Sequence, residues 1–200
     1  MCIRDRGAFR HRSDVLAYDA DGMGTPVMKL TFETYSGGTL PVIPFYGSGE
    51  IVDPEKRYGQ VEGEKEDRNL MKNKDKFMNF RAQAATWLRD KFEASYEMRQ
   101  QIERGGVVLN YSCEKIISID STCENYFELV AELSRPRRIF TNNGKIRVES
   151  KKEMKARNVE SPNLFDAAMM VNAITEVPRK LNNTTKHKTR TRSMKGKGWC

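Results

Sequence analysis

Two hundred residues, 38% hydrophobic and 31% charged, suit one domain with its own core and leave room for a tail. No apolar run approaches the ~20 residues of a membrane-spanning helix, and residues 1–12 lack the apolar stretch of a secretory signal. The net charge of +8 is not spread evenly: eight Lys and Arg with no acid follow Pro178, so residues 1–178 are neutral in sum.

The four cysteines, Cys2, Cys113, Cys123 and Cys200, form no CxxC pair, and the two histidines, His11 and His187, sit near the termini. A Cys/His zinc site is therefore not expected, and reduced thiols in a cytosolic protein are.

The first dozen residues show no usable pattern. MCIRDR resembles a translated sequencing-adapter remnant, so residues 1–12 are expected to be artefactual or disordered and the natural chain to extend further upstream. Val15 to Tyr18 reads as a buried strand running into the Gly-containing turn DADGMG. Thr25 and Pro26 have the order of a helix start, with Val27, Leu30 and Thr31 facing inward. Leu40 to Phe45 reads as a second strand whose prolines suit an edge. Strand, helix and strand in that order predict a parallel crossover.

Tyr46 to Asn69 is polar and charged and reads as a long, mobile loop. From about Lys72 to Glu103 the spacing of Phe77, Phe80, Ala84, Trp87, Leu88 and Phe92 predicts one long helix, stopped by Gly105 and Gly106. Tyr126 to Leu133 predicts a shorter helix ended before Pro136. Arg138–Phe140 and Lys145–Glu149 predict a hairpin around Asn142-Asn143-Gly144. Ser150 with Glu153 has the pattern of a capping box for a helix through Arg157. A last helix is expected from Ser161, with Pro162 at its first position, to about Ile174. Residues 177–200 read as a disordered basic tail, either seeking a polyanion or merely solubilising.

Three carboxylates carry the chemistry. Asp19 stands at the carboxyl end of the first strand, where open α/β sheets bind ligands, and Asp21 follows in the turn. Asp166 lies among apolar residues in SPNLFDAAMM, and a buried carboxylate needs a partner or a metal. Carboxylates brought together need a cation, and oxygen-only ligands favour Mg²⁺ or Mn²⁺. Alternatively, the DADG turn bonds only to its own backbone, and Asp166 only stabilises its helix N-terminus. Neither GxxxxGK[ST] nor GxGxxG occurs, so no ATP site is expected within the chain.

Four stretches taken in order resemble the C-terminal nuclease domain of the large terminase subunit of tailed bacteriophages. They are DADGMG, FMNFRAQAATWLRDKFE (Phe77 to Glu93), FELVAELSRPRRIFTNNGKIRVESKKEMKAR (Phe127 to Arg157) and SPNLFDAAMM, within residues 15–175. The resemblance implies an α/β, RNase H-like mixed sheet flanked by helices, incomplete at the N-terminus, with residues 13–176 as the nuclease domain. It implies a two-metal site of Mg²⁺ or Mn²⁺, with Asp19 and Asp166 as catalytic ligands and Asp21 as a weaker candidate. It further implies cutting of concatemeric double-stranded viral DNA in the host bacterial cytoplasm, with the portal protein and small terminase subunit as partners and no membrane. Three departures stand out. The family's first catalytic aspartate lies upstream of Val15, its ATPase motor is absent, so ATP would act only through that missing domain, and Asn163 replaces an aspartate of the closing motif.

Lys151, Lys152, Lys155 and Arg157 could meet DNA phosphates, or form a solvated face offset by Glu149, Glu153 and Glu160. Two other functions remain open: another RNase H-like nuclease such as a junction resolvase, and a non-catalytic DNA-binding or capsid-docking module.

Overall fold

The computed structural model describes residues 15–21, 42–61, 63–106, 113–120 and 122–176. The expected helix at Thr25, the basic tail, Cys2 and Cys200 lie outside them; Cys123 is a free thiol. Strands β1 (Leu16–Asp19) and β2 (Val42–Phe45) pair in parallel, Leu16 opposite Val42 and Asp19 opposite Phe45. Parallel pairing puts both carboxyl ends on one edge. The turn at Asp21 and the loop at Gly47 therefore leave the sheet side by side, tied by Ala20 N–H donating to Phe45 O at 2.8 Å. Pro44 lies within β2 and is exposed, as an edge strand allows.

The long helix is not continuous. A short helix α1 (Asn73–Lys76) stops at Phe77, which is extended and bridges Ile146, and α2 runs from Phe80 to Glu103. The break has a local cause. Asn79 is extended, and its side chain accepts the Ala82 N–H at 3.0 Å, capping α2. Phe77, with no exposure, leaves the α2 stripe to pack with Ala82, Ile146, Ile51 and Tyr58. Gly105, at φ +73°, ends the helix as expected.

Helix α3 (Tyr126–Ser134), strands β3 (Arg138–Phe140) and β4 (Ile146–Val148), and helix α4 (Lys151–Ala156) follow the expected order. The β3–β4 pair is antiparallel. Only Gly144 of its loop has positive φ, and its N–H bonds Thr141 O, so the loop is a three-residue connection. Ser150 and Glu153 form the reciprocal capping box of α4.

The last helix, α5 (Asn163–Glu176), packs on α2, α3 and β1. It begins two residues later than expected, and Pro162 precedes it as a buried residue whose carbonyl accepts the Asp166 N–H at 3.0 Å. The main core joins Phe45, Ala84, Leu88, Phe165, Met169 and Ala173, so β2, α2 and α5 share one apolar seam. No helix among the described residues is long and apolar enough to cross a membrane.

Among its described residues the segment Tyr46–Asn69 carries no helix or strand of its own, but it is held at several points. The buried Gln83 amide pairs both ways with the backbone of Val52, at 2.8 and 2.9 Å. Asn73 donates to the carbonyls of Val52 and Asp53, and Tyr58 hydroxyl donates to Asp90. Buried amides with satisfied partners fix backbone that its composition alone makes look free.

Candidate metal and nucleic-acid site

The site is assembled from three chain ends. The first is the turn after β1. Asp19 is exposed, and its Oδ1 accepts the Asp21 N–H at 3.0 Å, a local Asx turn. The Asp21 carboxylate reaches across to the loop after β2, accepting Ser48 N–H at 2.9 Å and Ser48 hydroxyl at 2.7 Å.

The second is the start of α2. The first N–H groups of a helix have no intrahelical acceptor. Here Phe80 N–H donates to Gly49 O at 3.1 Å and Arg81 N–H to Gly47 O at 2.8 Å. This docking brings the helix against the strand-end loop. Gly47 has no room to spare: a Cβ there would meet Asp21 Oδ2 at 3.2 Å and Arg81 Cβ at 3.3 Å. The absence of a side chain at Gly47 lets the Asp21 turn and Arg81 approach each other.

The third is α5. Its Leu164 N–H donates to Glu132 Oε2 at 2.6 Å, so a buried carboxylate of α3, not Ser161, receives a first-turn N–H of this helix. One turn into α5 stands Asp166, its side chain 12% exposed. Its Oδ1 accepts from Arg81 Nη2 at 2.7 Å, and Lys151 Nζ of α4 lies 3.3 Å from Oδ2. The series Asp21, Gly47, Arg81, Asp166, Lys151 thus links the turn after β1, the loop after β2 and the helices α2, α5 and α4.

The site expectations divide at this point. Asp19 and Asp21 share a turn and Asp166 is buried, but among the described residues no three acid, His or Cys side chains come close enough to hold an ion. The local Asx turn at Asp19 is formed, while the alternative for Asp166 is not the whole account, because both its side-chain partners come from other elements. Of the expected phosphate-binding residues, Lys151, Lys152 and Lys155 are exposed on α4.

Arg157 is committed elsewhere. It grips Glu149 through Nε at 2.7 Å and Nη2 at 2.6 Å and also donates to Arg135 O. That pair joins the end of α4 to the end of β4, and hydrogen bonding from Arg157 holds the Glu149 carboxyl below its ordinary range. Helical position alone does not reveal this, because the partner carboxylate lies outside the helix.

Arg81 and Glu132 were absent from the expected site. Both lie inside quoted stretches of the resemblance, Asn79-Phe80-Arg81-Ala82 and Glu132-Leu133, and each has a distinct task. Asn79 caps α2, Arg81 reaches Asp166, Ala82 is fully buried and Glu132 caps α5.

No family model matches the chain, and no curated protein does. Among solved structures, the nuclease domain of the large terminase subunit gp2 of bacterial virus Sf6 matches with a TM-score of 0.66 and 29% identity. The match covers 82% of this chain and 66% of that one. This chain is similar to a phage terminase nuclease domain. A lysine-to-alanine mutant of the Sf6 domain, solved with manganese and beta-thujaplicinol, matches with a TM-score of 0.67, again at 29% identity over 82% of this chain and 66% of that one. The same mutant with calcium gives 0.66, with the same identity and coverage. The chain spans just under two thirds of those terminase domains. The likeness to terminase nucleases holds in sequence as well as in fold, and it agrees with a mixed helix and strand architecture.

Proposed function

We propose that this chain is the metal-dependent nuclease part of a phage large terminase, an endonuclease that cuts concatemeric viral DNA. One observation supports this above the others: 82% of the chain matches a terminase nuclease domain, solved in related forms with manganese and with calcium. On this reading residues 13–176 form an RNase H-like domain and residues 177–200 a basic tail that adds a salt-sensitive hold on DNA. The small β1–β2 sheet would be one part of the mixed sheet of that fold.

The donor chemistry fits a hard divalent ion. Asp19, Asp21 and Asp166 offer only oxygen, and Asp166 is a buried carboxylate already drawing two cations. Asp19 and Asp166 would be ligands of Mg²⁺ or Mn²⁺ in a two-metal site, with Asp21 as an additional one. Bound ions supply Lewis acidity toward the scissile phosphate and a more acidic attacking water. The chain's own residues do the rest. Glu132 fixes the start of α5 and thereby the height of Asp166. Lys151, Lys152 and Lys155, exposed on α4, would offer positive charge to DNA phosphates. In the intact protein an ATPase motor, the portal protein and the small terminase subunit would act with this domain at the procapsid in the host cytoplasm.

A second reading, a DNA-binding or capsid-docking module without catalysis, is favoured by the missing three-acid cluster among the described residues. Supercoiled plasmid separates the two. The nuclease reading expects nicked circles with Mn²⁺ and none after chelation; retained DNA binding without nicking in either condition would favour the docking module.

A further inference from the structure

Arg81 is built into the centre of the site. Its backbone is fixed by the 2.8 Å bond to Gly47 O, its Cβ lies against Gly47, and its guanidinium ends on Asp166 Oδ1 at 2.7 Å. The Asp166 side chain is 12% exposed, and its two oxygens are divided between Arg81 and Lys151. A charge placed this far from water needs a counter-charge beside it. We propose that Arg81 is the internal counter-cation of Asp166, a positioning residue that holds the carboxylate beside the strand-end turn and yields Oδ1 when a divalent ion binds. The inference rests on the metal-dependent reading above and deepens it.

Two consequences follow from charge alone. A guanidinium resting on the same carboxylate repels an incoming ion, so the resident pair weakens divalent binding. The same pair neutralises the site without metal, so the helix carrying Asp166 does not depend on an ion to stay docked. Arg81 uses a single nitrogen on Asp166, so a lysine ammonium can replace it as a point charge. A neutral amide cannot.

The test is calorimetric titration of the 200-residue chain with Mn²⁺, for wild type, Arg81→Gln, Arg81→Lys and Asp166→Asn. Arg81→Gln is expected to bind Mn²⁺ roughly fivefold more tightly, with a lower metal-free melting temperature, from loss of charge repulsion at close range. Arg81→Lys should return the affinity to within about twofold of wild type, since the charge is restored. Equal or weaker binding by a folded Arg81→Gln, with wild type binding Mn²⁺ and Asp166→Asn not, overturns the role of Arg81 alone. If Asp166→Asn binds Mn²⁺ as well as wild type, or none of the proteins binds it, the metal reading itself falls and this inference with it. Should Arg81→Gln fail to fold, the Arg81 Nε–H resonance of the wild-type protein carries the test. It should shift on saturation with Mg²⁺, and a resonance that stays in place overturns the exchange.

Discussion

Replacing Glu132 tests how α5, and with it Asp166, is held in place. Glu132 is 5% exposed, and its Oε2 accepts the Leu164 N–H at 2.6 Å; Arg135 lies 3.8 Å from Oε1. In Glu132→Ala the N–H at the start of α5 loses its acceptor at a half-buried position, which costs about 1.5 kcal/mol. Loss of negative charge at a helix N-terminus adds about 0.5 kcal/mol, and the lost buried stem about 1 kcal/mol. The expected destabilisation is therefore about 3 kcal/mol, or a fall in urea midpoint of about 1.5 M for a typical slope near 2 kcal/mol/M. Glu132→Gln keeps the stem and an amide oxygen to accept from Leu164, so it should lose only the charge contribution, about 0.5 kcal/mol. Urea unfolding followed by circular dichroism at neutral pH measures both. Equal losses in the two variants, or a loss under ~0.5 kcal/mol in Glu132→Ala, would refute the view that this carboxylate caps α5, because such a loss is typical of surface positions.

Arg157→Met should cost about 3 kcal/mol at neutral pH, since it leaves the buried Glu149 carboxylate without its bidentate partner. The Glu149 pKa is lowered in the fold, chiefly by the Arg157 hydrogen bonds. The stability it contributes is present above the ordinary glutamate range and is lost as pH falls through its lowered value, so the gap between wild type and Arg157→Met should close in acid. Unfolding free energies at about pH 7 and about pH 3 test this, and a gap that widens in acid contradicts it. Gly144→Ala should cost about 1 kcal/mol because its φ of +75° is unfavourable for alanine even though a Cβ there meets nothing. A melting temperature equal to wild type would refute that.

Periodicity and local signals in the sequence foretold most elements. β1 and β2 were legible as short apolar runs, and their parallel pairing was expected from a helix read between them. The α4 capping box was readable because Ser150 and Glu153 interact within one turn. The break before α2 was harder, because Phe77 keeps the helical spacing while serving a separate core with Ile146. Asn79 is the local signal for that break, a capping residue in the middle of an apolar stripe.

The candidate site was legible only in part. Asp166 is conspicuous as a charge among apolar residues, but nothing local names Arg81 as its partner, 85 positions away. Glu132 and Leu164 are likewise 32 positions apart. Arg157 is the reverse case, a surface-looking charge that packing turns toward the buried Glu149 carboxylate. Long-range pairs of this kind depend on how the elements dock, and neither spacing nor propensity encodes that.

The measurement that bears most directly on the account is plasmid nicking by the wild-type chain and by Asp166→Asn in the presence of Mn²⁺, with DNA binding recorded alongside. Wild type is expected to nick and Asp166→Asn not to, with both binding DNA at similar affinity and salt dependence. Nicking by Asp166→Asn at the wild-type rate, or DNA binding by wild type without nicking at any Mn²⁺ concentration, would contradict that expectation.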